Sequence, residues 1–223
     1  MKIYMLTADY YHPNDVLRPG LEAAFGKDGY VYTNDPAEIP WETLLTRPPS
    51  CSLQRWMTFS SQFGHPKYNE LFAPVSDWMT PARASCLERY VRGGGAFLAL
   101  HSGILWHEDS ETARLTGGYF LRHPPQCEVT VVPFCGASHH GGRGDIHGER
   151  RIYMCRVYAD EVTPLCASYS TKPVGEPAVI SAWCREYGEG RVVALAPGHT
   201  LETILNPNMT RLLQNSARWA MKR

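Results

Sequence analysis

The chain has 223 residues, with 22 Lys+Arg against 22 Asp+Glu, 43% hydrophobic residues and nine histidines. That length suits one α/β domain over residues 1–223, which buries roughly 70–75% of its unfolded surface and needs no disulfide or metal to fold. Balanced charge excludes the dense basic surface of a nucleic-acid partner, and no apolar run approaches the roughly 20 residues that cross a bilayer.

The N-terminus lacks the apolar stretch and cleavage site of a secretory leader. The seven cysteines (Cys51, Cys86, Cys127, Cys135, Cys155, Cys166 and Cys184) are scattered, with no CxxC pair. The expectation is a soluble cytoplasmic protein with reduced thiols packed as small hydrophobes. In chain order, Lys2–Ala8 reads as a buried first strand, apolar and β-branched, that runs into the polar loop Asp9–Asp15. Pro19 followed by Leu21–Phe25 predicts a short helix with proline near its start. Tyr30–Thr33 is a second strand, Trp41–Leu45 one helical turn, and Trp56–Ser60 a third strand. Thr80-Pro81 is a helix start, an N-cap followed by proline, and Gly93-Gly94-Gly95 stops that helix. Ala96–Leu100 (AFLAL) is then a continuous apolar run, as expected of a central strand buried on both faces. Glu128–Val132 reads as a strand and Ser138–Gly148 as a surface loop. Ala178–Trp183 and Arg191–Ala196 form a late β-hairpin across Tyr187-Gly188-Glu189-Gly190. Asn206-Pro207 opens a closing helix whose Met209, Leu212, Leu213 and Ala220 share one face.

Strands alternating with helices predict a doubly wound sheet, and such sheets bind ligands beyond the carboxyl ends of their strands. Three histidines stand there: His12 after the first strand, His101 directly after AFLAL, and His199 after RVVALAP. An ionisable group at such a position gains little from packing and can serve as acid, base or metal ligand. The sharpest local feature is His101-Ser102-Gly103, a strand followed by X-x-Gly, which resembles a nucleophile elbow with histidine at its tip. The GxSxG pattern of a serine hydrolase is missing, so Ser102 is read as a substrate contact rather than a nucleophile. Trp106 and Tyr11, with Tyr10 and Trp78, are candidates for stacking on a sugar ring. His123, His139, His140 and His147 are weaker candidates, since surface histidines commonly do no more than bond a nearby loop.

Five segments resemble, in order, the ThuA-like (trehalose utilisation) family of the class I glutamine amidotransferase-like superfamily. They are VRGGGAFLALHSG (Val91–Gly103), LTGGYFLRHP (Leu115–Pro124), YADEV (Tyr158–Val162), GEGRVVALAPGHT (Gly188–Thr200) and LLQNSARWA (Leu212–Ala220). The resemblance implies a three-layer, flavodoxin-like fold: a mostly parallel sheet, helices on both faces and a late β-hairpin. It also implies that His101 occupies the position of the amidotransferase nucleophilic cysteine, and His199 that of the catalytic histidine. No cysteine stands at that position, so glutamine hydrolysis through a thioester is excluded.

Two chemistries then remain open. His101 and His199 can form a divalent-metal site (Zn or Mn) with Glu161 or His12 as further ligands, or they can work as an acid–base pair. Asp160-Glu161 falls where the family carries its Asp-Glu, although the tyrosine that commonly follows is replaced by Val162-Thr163-Pro164. The expected function is hydrolysis, elimination or isomerisation of a disaccharide or keto-sugar. The candidate catalytic residues are His101, His199 and Glu161, with His12, Ser102, Trp106 and Tyr11 binding substrate. The expected partner is a small sugar-like molecule, with a homo-oligomer possible by analogy. The alternative is a ligand-binding or assembly protein that kept the scaffold and lost its chemistry.

Overall fold

A computed structural model of the chain describes residues 3–7, 14–28, 30–33, 35–46, 55–58, 79–134, 144–149, 151–170 and 178–222. Among them lies a nine-stranded sheet, built from β1 (Ile3–Leu6), β2 (Tyr30–Thr33), β3 (Arg55–Thr58), β4 (Ala96–Leu100), β6 (Val129–Pro133), β7 (Ile146–Glu149), β9 (Thr163–Tyr169), β10 (Val179–Tyr187) and β11 (Gly190–Leu195). Its spatial order is β2-β1-β3-β4-β11-β10-β9-β6-β7. β5 (Gly118–Arg122) and β8 (Met154–Val157) form a separate antiparallel ribbon.

The expected mostly parallel sheet is corrected to a mixed one. From β2 to β11 every pairing is parallel, in the 2-1-3-4 order of a doubly wound fold. From β11 to β7 every pairing is antiparallel. The switch follows from chain connectivity. β10 and β11 are joined by the two residues Gly188-Glu189, and Gly188 has φ 58° at the first central position, where hairpin turns that match strand twist place glycine. A connection that short leaves no room for the helical crossover a parallel pair requires.

Helices cover both faces. On one lie α1 (Asn14–Phe25), α5 (Leu201–Leu205) and α6 (Pro207–Ala220); Leu17, Leu21, Ile204, Met209, Leu212 and Leu213 pack there against Met5, Leu98, Leu100, Val193 and Leu195. On the other lie α2 (Trp41–Thr46), α3 (Pro81–Arg92) and α4 (Glu111–Thr116), where Leu44, Leu87, Val91 and Leu115 meet Phe97, Ala99, Val192 and Ala194. The period-2 alternation of β4 divides Leu98 and Leu100 from Phe97 and Ala99, so the AFLAL run is buried on both sides. Each such large side chain removed from water contributes roughly 1.5–3 kcal/mol.

Local signals read from the sequence recur with changed bounds. Thr80 Oγ1 accepts from Arg83 N at 3.3 Å and caps α3. α1 begins at Asn14, well before Pro19, which stands inside it. Leu17, Leu21 and Ala24 are all buried on one stripe, so tertiary packing holds the turn that proline alone would end. The predicted loop Ser138–Gly148 is corrected at its end. Ile146 is buried and opens β7 against β6, while residues 138–143 lie outside the described set. Phe59 and Ser60, at the end of the predicted third strand, lie outside it as well.

Candidate active site

The parallel half of the sheet sets the site. Leu100 at the end of β4 is in register with Leu195 at the end of β11, so the segments leaving these two strands start side by side. Leu100 is still extended, at φ −111°, but His101 turns to φ 49° and opens the short 3₁₀ turn His101–Ile104. A non-glycine residue in the left-handed region costs on the order of 1–3 kcal/mol and persists where its surroundings hold it. Here they do. His101 Nδ1 lies 2.6 Å from the Ala196 carbonyl oxygen, and its ring is stacked on Tyr153 at 4.2 Å between centroids.

The second imidazole arrives from β11. Ala196-Pro197-Gly198 carries the chain past the elbow to His199, whose Nδ1 is 3.2 Å from His101 Nε2. Gly198 makes the approach possible. Its φ is 133°, and a Cβ there would lie 3.1 Å from Leu100 Cδ1. Thr200, the next residue after His199, accepts from Thr203 N and caps α5, so the loop is pinned immediately beyond the pair. His101 is 2% exposed, whereas His199 is half-buried and forms the outer member.

A carbonyl oxygen can only accept, so Nδ1 of His101 carries the hydrogen. With both rings neutral, Nε2 of His101 accepts from Nδ1–H of His199, which puts the lone pair of His199 on its Nε2. A proton added to that outer nitrogen can be matched by transfer of the Nδ1 proton to His101. Bonded in this way, the two rings can pass a proton between them.

The remaining expected residues fall elsewhere. Glu161 ends a 3₁₀ turn, Ala159–Glu161, and its Oε2 is 3.0 Å from Arg185 Nη2. Arg185 also donates from Nη1 to the Arg114 carbonyl at 2.9 Å. In the β10–β11 ladder Arg185 stands opposite Val192, about 10 Å of strand away from Leu195 and toward the far edge of the sheet. Glu161 is therefore not brought to the imidazole pair, and the Glu161 placement is corrected. Ser102 and Trp106 are buried, with Trp106 in the core cluster of Phe97, Leu115 and Trp183, so that ring does not offer a stacking face. His12 and Tyr11, like Tyr10 and Trp78, lie outside the described residues.

Among the described residues no group of three or more His, Cys, Asp or Glu is placed to hold a metal ion. The His101, His199 and Glu161 set does not fit Zn or Mn, because the three are not grouped and the carboxylate is paired with Arg185. His139 and His140 lie outside the described residues, and His147 Nδ1 is 3.1 Å from Thr130 Oγ1 on the exposed edge of the sheet.

Two residues that sequence reading missed shape the site. Tyr153 packs against His101 on one side and against Phe120 (4.7 Å) and His123 (6.0 Å) on others. Arg151, two residues earlier, reaches His123. The available signal was the alternation Arg151-Ile152-Tyr153 in an extended segment, too short to read alone. Beyond the elbow, Tyr119 Oη donates to Glu108 Oε1 at 2.6 Å. That bond pushes the phenol pKa up to about 12 and ties the loop to β5.

A doubly wound α/β sheet, with a buried histidine at a strand-to-turn bend beyond the carboxyl ends of its parallel strands, defines the class: a three-layer α/β protein. The chain belongs to the ThuA family, described by trehalose utilisation, whose model matches residues 66–220. Solved structures share the fold. A putative ThuA-like protein from Parabacteroides merdae superposes with a TM-score of 0.68 at 14% identity, over 99% of this chain and 90% of that one. A second, from Bacteroides uniformis, gives 0.65 at 17% identity, over 98% and 89%. A cytoplasmic protein from Salmonella typhimurium gives 0.62 at 12% identity, over 99% of both chains. No curated protein matches the chain. Among the described residues no helix is long and apolar enough to cross a membrane.

Proposed function

We propose that the chain is an enzyme acting on a sugar or oxidised sugar by acid–base chemistry at the His101–His199 pair. The observation that carries this reading is the 3.2 Å contact between His101 Nε2 and His199 Nδ1, with the inner ring anchored on the Ala196 carbonyl. His199 is the group that meets substrate. Its Nε2 removes a proton from a hydroxyl, a water or a carbon next to a carbonyl. As that nitrogen gains a proton, Nδ1–H passes to His101 Nε2, and the positive charge comes to rest between the Ala196 carbonyl and the face of Tyr153. The reverse transfer returns the proton to the leaving group or product. His101 is a positioning and charge-holding residue, which fits its burial.

A family described by trehalose utilisation supports a carbohydrate substrate. Histidine at the elbow argues against glutamine hydrolysis, since a thioester needs sulfur there.

The test is turnover of a panel of disaccharides and 3-keto sugars, with and without added divalent metal, by the wild type and by His199→Ala and His101→Ala. We expect His199→Ala to lose on the order of 10²–10⁴ in kcat while its melting temperature stays close to wild type. Full activity in a folded His199→Ala protein would overturn the assignment. The burial of His101 favours a second reading, a ligand-binding or assembly protein. It stands if sugars bind to the wild type and none is turned over.

A further inference from the structure

Outside the imidazole pair, Arg151 combines partial burial with the lack of a counter-charge. Arg151 is half-buried, its Nε is sealed from solvent with no hydrogen-bond partner, and among the described residues no carboxylate pairs with it. Its contact is Nη1 to His123 Nε2, at 2.9 Å. A guanidinium only donates, so His123 accepts at Nε2 and carries its hydrogen on Nδ1, which donates to the Pro124 carbonyl at 2.8 Å. This contact leaves the Arg151 charge uncompensated. Other arginines in the fold are served differently: Arg18, Arg92, Arg185 and Arg191 each meet a carboxylate.

The position of Arg151 is fixed by the backbone. Arg151-Ile152-Tyr153 leads into β8, and its side chains alternate. Ile152 is buried in the cluster of Leu98 and Leu195, and Tyr153 in that of Phe97 and Ala99. Arg151 therefore points to the same side as Tyr153, whose ring is stacked on His101. His123 lies nearly parallel to that tyrosine, 14° between planes. Contacts run from His199 through the buried rings of His101 and Tyr153 to His123 and Arg151, with the imidazole pair at one end and an unmatched cation at the other.

We propose that Arg151 is a substrate-binding residue, the subsite for an anionic group, carboxylate or phosphate, on the sugar-like molecule processed at His199. The inference rests on the acid–base reading of the site and adds a substrate class to it, a sugar acid or sugar phosphate. Nη2, which makes no hydrogen bond and is not sealed as Nε is, is suited to donate to an oxygen of such a group while the positive charge attracts it.

The test is calorimetric titration of the whole protein with glucose, gluconate, glucose 6-phosphate and inorganic phosphate, repeated on Arg151→Gln, Arg151→Lys and His199→Ala. We expect gluconate or glucose 6-phosphate to bind at least about 10-fold more tightly than glucose, the worth of one charge-assisted hydrogen bond. Whichever of the two binds more tightly identifies the anion. Arg151→Gln should erase that difference with little change in melting temperature, and Arg151→Lys should restore part of it. His199→Ala should leave it intact, so loss of turnover and loss of anion binding are read separately. Equal binding of neutral and anionic sugars, or a preference that survives in Arg151→Gln, overturns the proposal. So does inorganic phosphate binding as tightly as the best sugar. If Arg151→Gln fails to fold, the Arg151 Nε–H proton resonance of the wild type, followed through the same titrations, decides: it shifts with the anionic sugars and not with glucose, or the proposal fails.

Discussion

At Gly198 a single missing Cβ decides whether two imidazoles meet. The residue's φ of 133° lies in a region that side chains rarely enter, and a methyl there would press on Leu100. Gly198→Ala is expected to cost about 1–3 kcal/mol in denaturant unfolding, from backbone strain alone. The same change displaces His199, so its turnover should fall by more than its stability explains. The comparison is with Gly26→Ala, which also has a positive φ (81°) but where a Cβ meets nothing within 4 Å, and which should lose stability only. His101 shows what sequence can and cannot convey at this scale. Its place at the tip of a bend was legible, because an apolar strand running into His-Ser-Gly has few other readings. Its depth was not, because burial depends on Tyr153 and the Ala196 carbonyl, residues some fifty and a hundred positions away.

Among the elements, the closing helix α6 tests how far local chemistry carries. Asn206 Oδ1 accepts from Asn208 N at 2.9 Å and from Met209 N at 3.4 Å, two donors that a helix start otherwise leaves unmatched. Asn206→Ala should cost about 1 kcal/mol and lower the melting temperature by about 2–4 °C, read by calorimetry, without altering the site. Caps, proline starts and continuous apolar runs are written in consecutive residues, and for that reason α3, α6 and β4 were read close to their observed bounds. β5, β8 and β9 carry no such signature. The burial of β9 is irregular along Thr163–Tyr169, with its proline and two polar ends, and only its partners on either side make it a strand. The expected placement of Glu161 beside the histidines has the same origin. A short acidic turn names its residues but not the side chain that holds them, and here Arg185, three rungs along the ladder from Leu195, pairs with Glu161.

For the molecule as a whole, the sulfur atoms set an upper limit on tolerated pH. Burial pushes the thiols of Cys166 and Cys184 up to about 12 and that of Cys155 higher still. In the unfolded chain these groups ionise near pH 8.5, whereas the native state keeps them protonated. Their contribution to stability is therefore complete below about pH 8.5 and is lost progressively as pH rises toward their native values. Urea unfolding at pH 7 and pH 10 should differ by on the order of 2 kcal/mol for each such thiol. Replacing Cys166 or Cys184 by alanine should flatten the decline. The layered architecture was foreseen from alternating strands and helices. The mixed sheet was not, because beyond the hairpin at Gly188-Glu189 the strands β9, β6 and β7 continue to alternate in direction through pairings that no run of consecutive residues announces.

The register between Leu100 and Leu195 has a further consequence for anyone reshaping this protein. Both imidazoles follow the ends of neighbouring strands of one ladder, so inserting a single residue into either strand would shift one ring relative to the other and dissolve the pair. The spacing of the two nitrogens is thus inherited with the sheet and offers no room for gradual adjustment.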